Sequence, residues 1–269
     1  MGNGVRKQNL KEELDRLYHE INKPEFILKD PVQFPHRYSA KSDREIAAFL
    51  ATTIAWGRRD LILKSAERMF SLMGPSPYAF IMEEKYRHVL RGIKVDDKSA
   101  RGRSIHRTFF EGDLLYFCKG LKACYTKYGS LETLFWTPRD IWAGIELFRE
   151  TMALGNRASS RAKAKRPVYS RHIAGPSAGS ACKRLNLALR WLVRREGPVD
   201  MGLWKSISPS SLFIPLDLHV GRTARQLGLL DRESNDMKAV ISLTEKLKEF
   251  CPEDPIKYDL ALFGYSVSS

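Results

Sequence analysis

Apolar residues recur at spacings of three and four along nearly every readable segment of this 269-residue chain, and that period fits helix rather than strand. Leu10, Leu14, Leu17, Tyr18 and Ile21 form one such face, which Pro24 stops. Pro31 and Pro35 mark an irregular connection up to Tyr38. Ser42 and Glu45 then have the spacing of a capping box, ahead of a helix through Ile46, Phe49, Leu50 and Ile54 that is apolar nearly all round. A helix from Asp60 ends at Gly74-Pro75, and the turn before it reads Trp56-Gly57-Arg58-Arg59. Residues 92–107 read as a charged loop, and helices resume over 112–128, 131–135 and 139–154. The last of these has Thr137 at the N-cap position and Pro138 at the first helical one. A final helix turns Tyr258, Leu260, Leu262 and Phe263 inward. With no alternating strand pattern, hairpin turn signal or internal repeat, the sequence predicts an all-α fold.

The chain is long enough for one large domain or two lobes, and 43% hydrophobic residues suffice for a buried core. No apolar run reaches the roughly 18 residues that cross a bilayer. The start, Met1 to Arg6, has no apolar core after a basic stretch, and Arg6 departs from a myristoylation site. A soluble, cytoplasmic protein is the expectation. Cys118, Cys124, Cys182 and Cys251 show neither the density of a disulfide framework nor a C-x-x-C pair, so buried thiols and no metal site are expected. Lys and Arg number 45 against 31 Asp and Glu, a net charge of +14 that attracts polyanions, nucleic acid above all. Charge does not separate DNA from RNA, and a solvated surface gives the same balance. The run from 156 to 172 is especially basic, with Arg157, Arg161, Lys163, Lys165, Arg166 and Arg171; it reads as a loop or arm.

The chemistry concentrates further on. Gly175-Pro176-Ser177-Ala178-Gly179-Ser180 forms a small-residue turn into a helix over 181–195. At 100° per residue, Leu185, Ala188, Leu189 and Leu192 share one face, while Lys183, Asn186, Arg190 and Arg194 share the opposite one. Such a cationic stripe suits an anion, and the turn's N–H groups and the helix dipole would add to it. An ordinary basic surface helix has the same pattern. The second segment, Ile214-Pro215-Leu216-Asp217-Leu218-His219-Val220-Gly221-Arg222, delivers Asp217 to a helix start, where Asp is also a favoured N-cap without any catalysis. Nothing near His219 completes a metal site.

A hairpin turn, a helix opening near a Lys and a Pro-x-Asp-x-His-x-x-Arg segment together resemble the signature of the helix-hairpin-helix, Gly/Pro–Asp DNA glycosylase superfamily. The likeness runs from about Ser42 to the C-terminus and looks like a poorly characterised bacterial branch. The usual hairpin reads Leu-Pro-Gly-Val-Gly with the Lys two residues on, whereas here Gly179 precedes Lys183 by four. The 34 residues from Lys183 to Asp217, and a cation at Arg190, are nearer to the archaeal 8-oxoguanine glycosylases than to the endonuclease III type. The four-Cys iron–sulfur loop of that type is missing.

The resemblance implies a two-lobed helical bundle with an active cleft between the lobes. One lobe would span 42–200, and the other would join 1–41 to 201–269 and carry Asp217. It implies a DNA repair glycosylase with AP lyase activity, acting as a monomer without a cofactor on duplex DNA bearing a damaged base such as an oxidised purine. Lys183 would attack C1′, activated by Arg184, the helix N-terminus and partial burial, and Asp217 would assist. Gly179, Ser180, Arg184, Arg190, Arg194, His219, Arg222, Arg58 and Arg59 would contact DNA. The flipped base would meet Trp56, Trp204 or Phe213, with Tyr169 a further aromatic candidate. Two other readings fit the same residues: a non-catalytic DNA- or lesion-binding protein of this fold, and an RNA-binding helical protein.

Overall fold

The computed structural model describes residues 2–95, 97–157, 167 and 169–268. Arg161, Lys163, Lys165 and Arg166 of the basic run lie outside them. The chain divides into two compact units, Met1–Lys29 with Pro176–Ser269, and Asp30–Gly175. The sequence-based division at 41/42 and 200/201 differs: the helix of Lys183 falls in the first unit, where Arg190 and Arg194 pair with Asp259 and Asp254 near the C-terminus.

In chain order, the first unit opens with α1 (Gly2–Ile21) and α2 (Pro24–Leu28). The second unit holds α3 (Gln33–His36), α4 (Lys41–Thr53), α5 (Arg59–Met73), α6 (Pro77–Met82) and α7 (Tyr86–Val89). It continues through β1 (Ser104–His106), β2 (Phe109–Phe110), α8 (Glu111–Tyr128), α9 (Leu131–Trp136) and α10 (Ile141–Gly155). The first unit then resumes with α11 (Lys183–Val193), α12 (Leu218–Gln226), α13 (Met237–Lys248) and α14 (Tyr258–Ser268). The fold is predominantly helical, and among the described residues the only sheet is the β1–β2 pair.

In the second unit, Phe49 of α4, Phe135 of α9 and Phe148 of α10 stack with ring centroids 5.0 to 5.6 Å apart, each ring almost wholly buried. Truncating one such ring costs about 3–5 kcal/mol, so this trio anchors the unit. α8 and α10 approach closely because Gly155 leaves no side chain between them: a Cβ there would sit 2.6 Å from the Lys119 carbonyl oxygen. In the first unit, α14 packs on α1 and α12. Tyr258, Leu260 and Leu262 are buried there, and Phe26 meets Phe263 edge-on at 6.0 Å.

Several local expectations are corrected. Ser42 does not cap α4; Ala40 precedes that helix without a side-chain cap. Glu45 faces inward instead, accepting from the Tyr125 hydroxyl at 2.7 Å and from the Leu131 amide at 3.4 Å, so it serves the start of α9. Thr137 ends α9, its hydroxyl donating to the Thr133 carbonyl, and Asp140 caps α10 by accepting from the Ala143 amide at 2.7 Å. The 92–107 loop ends in strand rather than coil. The two residues between β1 and β2 are Arg107 and Thr108, and Arg107 takes φ 50°. An arginine in that conformation gives none of the Asn-Gly signal that marks a hairpin in a sequence.

Candidate active site

The first unit brings Lys183 and Asp217 together, Nζ to Oδ2 at 3.1 Å, each side chain about a quarter to a third exposed. Both sit at helix N-termini. Asp217 precedes α12 and caps it, accepting from the Val220 amide at 2.8 Å. Its backbone carbonyl accepts from Asn235 Nδ2 at 2.9 Å. That contact needs Gly221, where a Cβ would lie 2.6 Å from Asn235 Oδ1. The carboxylate is thus oriented by an amide on one side and an ammonium on the other. Lys183 is the first residue of α11, where the helix dipole disfavours a cation by roughly 0.3–1 kcal/mol. The Asp217 carboxylate offsets that cost. Cys182 ahead of it takes a left-handed conformation, φ 46°, unusual for a residue with a side chain.

The rest of the expected stripe lies elsewhere. Arg190 and Arg194 are 3% and 0% exposed, so neither offers its guanidinium to a phosphate at the surface. Arg190 pairs with Asp200 at 3.2 Å and with Asp259, and Arg194 pairs with Asp200 and with Asp254 at 2.8 Å. The Tyr18 hydroxyl of α1 also accepts from Arg194, at 3.1 Å. Burial alone would lower the Arg194 pKa, but Asp200 and Asp254 outweigh it and hold the guanidinium above its ordinary range. These three aspartates were missed because Asp254 and Asp259 are remote in sequence from their arginines, and Asp200 lies past the end of α11, off its helical period. One signal was available: Trp191 and Val193 flank the cationic stripe on either side, so the helix is apolar over more than one face and its polar side chains must be buried with partners.

This network is coupled to the candidate site electrostatically, through Asp259. Burial raises its pKa from 3.8 to about 6, Arg190 opposes the shift, and the nearby Asp217 and Asp200 carboxylates add to it. An acid whose pKa is raised by folding contributes stability that is fully present below its unfolded value and lost as pH rises through its folded one. We expect the difference in thermal midpoint between the wild type and Asp259→Asn to change between about pH 4 and 6, with the wild type losing ground as pH rises. A difference that stays constant over this window sinks the assignment.

Of the other expected DNA contacts in this unit, His219 and Arg222 are exposed on α12 beside Asp217, next to Leu218, which is 77% exposed. Gly179 is exposed with φ 72°, but its amide donates to the Pro176 carbonyl at 2.8 Å and is not free for a phosphate. Ser180 is half-buried, bridges to Asp236, and its hydroxyl accepts from the Cys182 amide at 3.2 Å. Arg184 is half-buried, and burial lowers its pKa. Trp204 is wholly buried in the core, which corrects its expected place against a flipped base, while Phe213 is half-buried.

Trp56, Arg58 and Arg59 belong to the second unit. Trp56 stacks on His172 with ring centroids 5.8 Å apart, and its carbonyl meets His106 Nε2 at 2.9 Å. Arg58 pairs with Asp60 at 2.9 Å, and Arg59 approaches Asp30 at 3.8 Å. Tyr169 in the same unit lies under the Arg149 guanidinium, 3.7 Å from ring centroid to Cζ. Cys118, Cys124 and Cys182 are buried, and among the described residues no group of His, Cys, Asp and Glu could hold a metal ion. No helix among them is long and apolar enough to cross a membrane.

No curated protein and no solved structure matches the chain. Residues 30–268, most of both units, match the family described as "Protein of unknown function (DUF2400)", and the chain belongs to that family.

Proposed function

We propose that this protein is a DNA glycosylase with AP lyase activity, built on the two-lobed helix-hairpin-helix plan and using Lys183 as nucleophile and Asp217 as its electrostatic partner. The observation that carries this reading is the 3.1 Å approach of the two groups at the N-termini of α11 and α12. A Lys at a helix N-terminus is poorly placed for stability alone, whereas a Lys beside an oriented carboxylate is well placed for chemistry at a sugar carbon. As the glycosidic bond breaks, its electrons leave with the damaged base, and Asp217 stabilises the positive charge left at C1′. The ammonium of Lys183 gives a proton to the departing base, and the resulting amine bonds to C1′. That adduct is a secondary ammonium; as one of its two N–H protons passes to O4′, the C1′–O4′ bond breaks and a protonated imine of Lys183 forms.

The exposed Leu218, His219 and Arg222 next to Asp217 suit the rim of such a site: an apolar side chain can wedge into an opened base step while the cation meets phosphate. On this reading the protein is a cytoplasmic monomer that acts on duplex DNA bearing a damaged base, oxidised purine among the candidates, without an iron–sulfur cluster.

Borohydride trapping on duplexes carrying an abasic site, 8-oxoguanine or an alkylated purine tests it. Reduction of the imine should leave a covalent protein–DNA adduct in the wild type and none in Lys183→Gln. No adduct and no base release on any of these duplexes overturns the proposal.

A further inference from the structure

The second unit contains an open cavity of about 760 Å³ between α7, α8, α10 and the turn at Gly92. Its volume is that of a small-molecule site, which spans roughly 300–1,000 Å³. Its charge is one-sided. Arg87, Arg91, Lys119, Lys122 and Lys127 line it, and among its described lining residues Glu84 is the only carboxylate. That carboxylate is already occupied: Arg87 Nε approaches it at 2.6 Å and Lys122 Nζ at 2.9 Å. The two cations hold Glu84 well below the usual carboxylate range, at about 2. Glu84 also sits at φ 57°, a left-handed conformation that a side chain makes costly and that glycine would adopt freely. Here the carboxylate bridges α7 to α8 and fixes two cations in place, which is the pre-organisation an anion site needs.

Arg91, Lys119 and Lys127 add three further cations to the lining. Burial lowers the Lys119 pKa, Arg87 adds to the shift and Glu84 opposes it, so an arriving anion would offset the repulsion from Arg87. Planar guanidinium groups beside compact ammonium groups match phosphoryl oxygens. Other lining residues are different in character. Leu90, Ile93, Leu115 and Leu154 contribute apolar surface to the lining, and Leu154 is 42% exposed. A bare phosphate would leave that apolar surface wet, while an organic phosphate would cover it.

We infer that this cavity binds a nucleotide-type organic phosphate, its phosphoryl groups on Arg91, Lys119 and Lys127 and its apolar part over Ile93 and Leu154. The ligand chemistry is shared by a free nucleotide and by a nucleotide unit of a single strand. The site goes beyond the Lys183–Asp217 reading and lies wholly in the other unit.

Isothermal titration of the full chain with ATP, pyrophosphate and a short oligothymidylate tests the inference. ATP or the oligothymidylate should bind more tightly than pyrophosphate, and the double variant Arg91→Glu/Lys127→Glu should weaken that binding at least about tenfold. Both positions are exposed, so circular dichroism should show an intact fold. Lys119→Gln, uncharged and nearly isosteric, should weaken binding less. Tighter binding of ATP assigns a free nucleotide, and tighter binding of the oligothymidylate assigns a strand. The cavity lining includes neither Lys183 nor Asp217, so a failed trapping experiment leaves this result standing. The inference is overturned if neither ATP nor the oligothymidylate binds, if pyrophosphate binds as tightly, or if the double variant is unaffected.

Discussion

Asp217→Asn should slow base release by roughly 10²–10³-fold and leave the first unit folded, within about 1 kcal/mol of the wild type. The two halves of this expectation come from different roles of one side chain. As an N-cap, Asp217 accepts from the Val220 amide, and asparagine performs that role about as well. As a charge, it faces Lys183 at 3.1 Å, and asparagine removes that entirely. The ion pair is partly exposed, so its loss costs stability only about 0–1 kcal/mol. A developing oxocarbenium ion screened from water feels the same charge far more strongly. Asp217→Ala separates the roles further, since it loses the cap as well and should cost about 1 kcal/mol more.

A second readout does not depend on turnover. The Asp217 charge is one of the causes that hold Asp259 up at about 6, so Asp217→Asn should move the Asp259 titration downward, as followed by NMR of its carboxyl carbon. If Asp217→Asn releases base at the wild-type rate, Asp217 is a helix cap only and the electrostatic role is wrong.

How much of this was legible in the chain follows from range. The apolar period marks helices because it is set by neighbours three and four residues apart, and α5, α8 and α14 lie close to where that period puts them. A small-residue turn and an Ile-Pro-Leu segment mark the two helix starts locally, but the pairing of Lys183 with Asp217 was expected only from the family resemblance. Contacts between remote segments left no such mark. Glu45 has the spacing of a capping residue but bonds to Tyr125 and Leu131, roughly a third of the chain away. Arg190 and Arg194 have the spacing of a surface stripe, yet each has a partner from the far end of the chain, Asp259 and Asp254. Charge in a sequence is a property of a residue, whereas its burial is a property of the fold. The unit boundaries moved for the same reason, because α11 is tied to α1 and α14 by those pairs.

Asp200→Ala should destabilise the first unit by about 3–5 kcal/mol, the largest loss expected of any single charge in this chain. Asp200 is inaccessible, and it touches both Arg190 and Arg194, whose side chains are 4% and 0% exposed. Removing it leaves two guanidinium groups in a medium that solvates them poorly, with Asp259 and Asp254 each keeping only one of them. An arginine cannot escape by shedding its proton, as a buried lysine can, so the penalty is met by opening the structure. A surface pair gives the contrast: Arg16 and Glu20 lie four residues apart on α1, both more than half exposed, and Arg16→Ala should cost under about 0.5 kcal/mol. Cysteine labelling across a urea series, read by mass spectrometry, assigns the effect to a unit. Cys182 is buried in the first unit and Cys118 and Cys124 in the second, so Asp200→Ala should expose Cys182 at lower urea and leave the other two where they were. Equal protection of Cys182 in the variant and the wild type would mean that water or neighbouring groups satisfy the arginines without Asp200. The buried network would then not be what ties α11 to the chain termini.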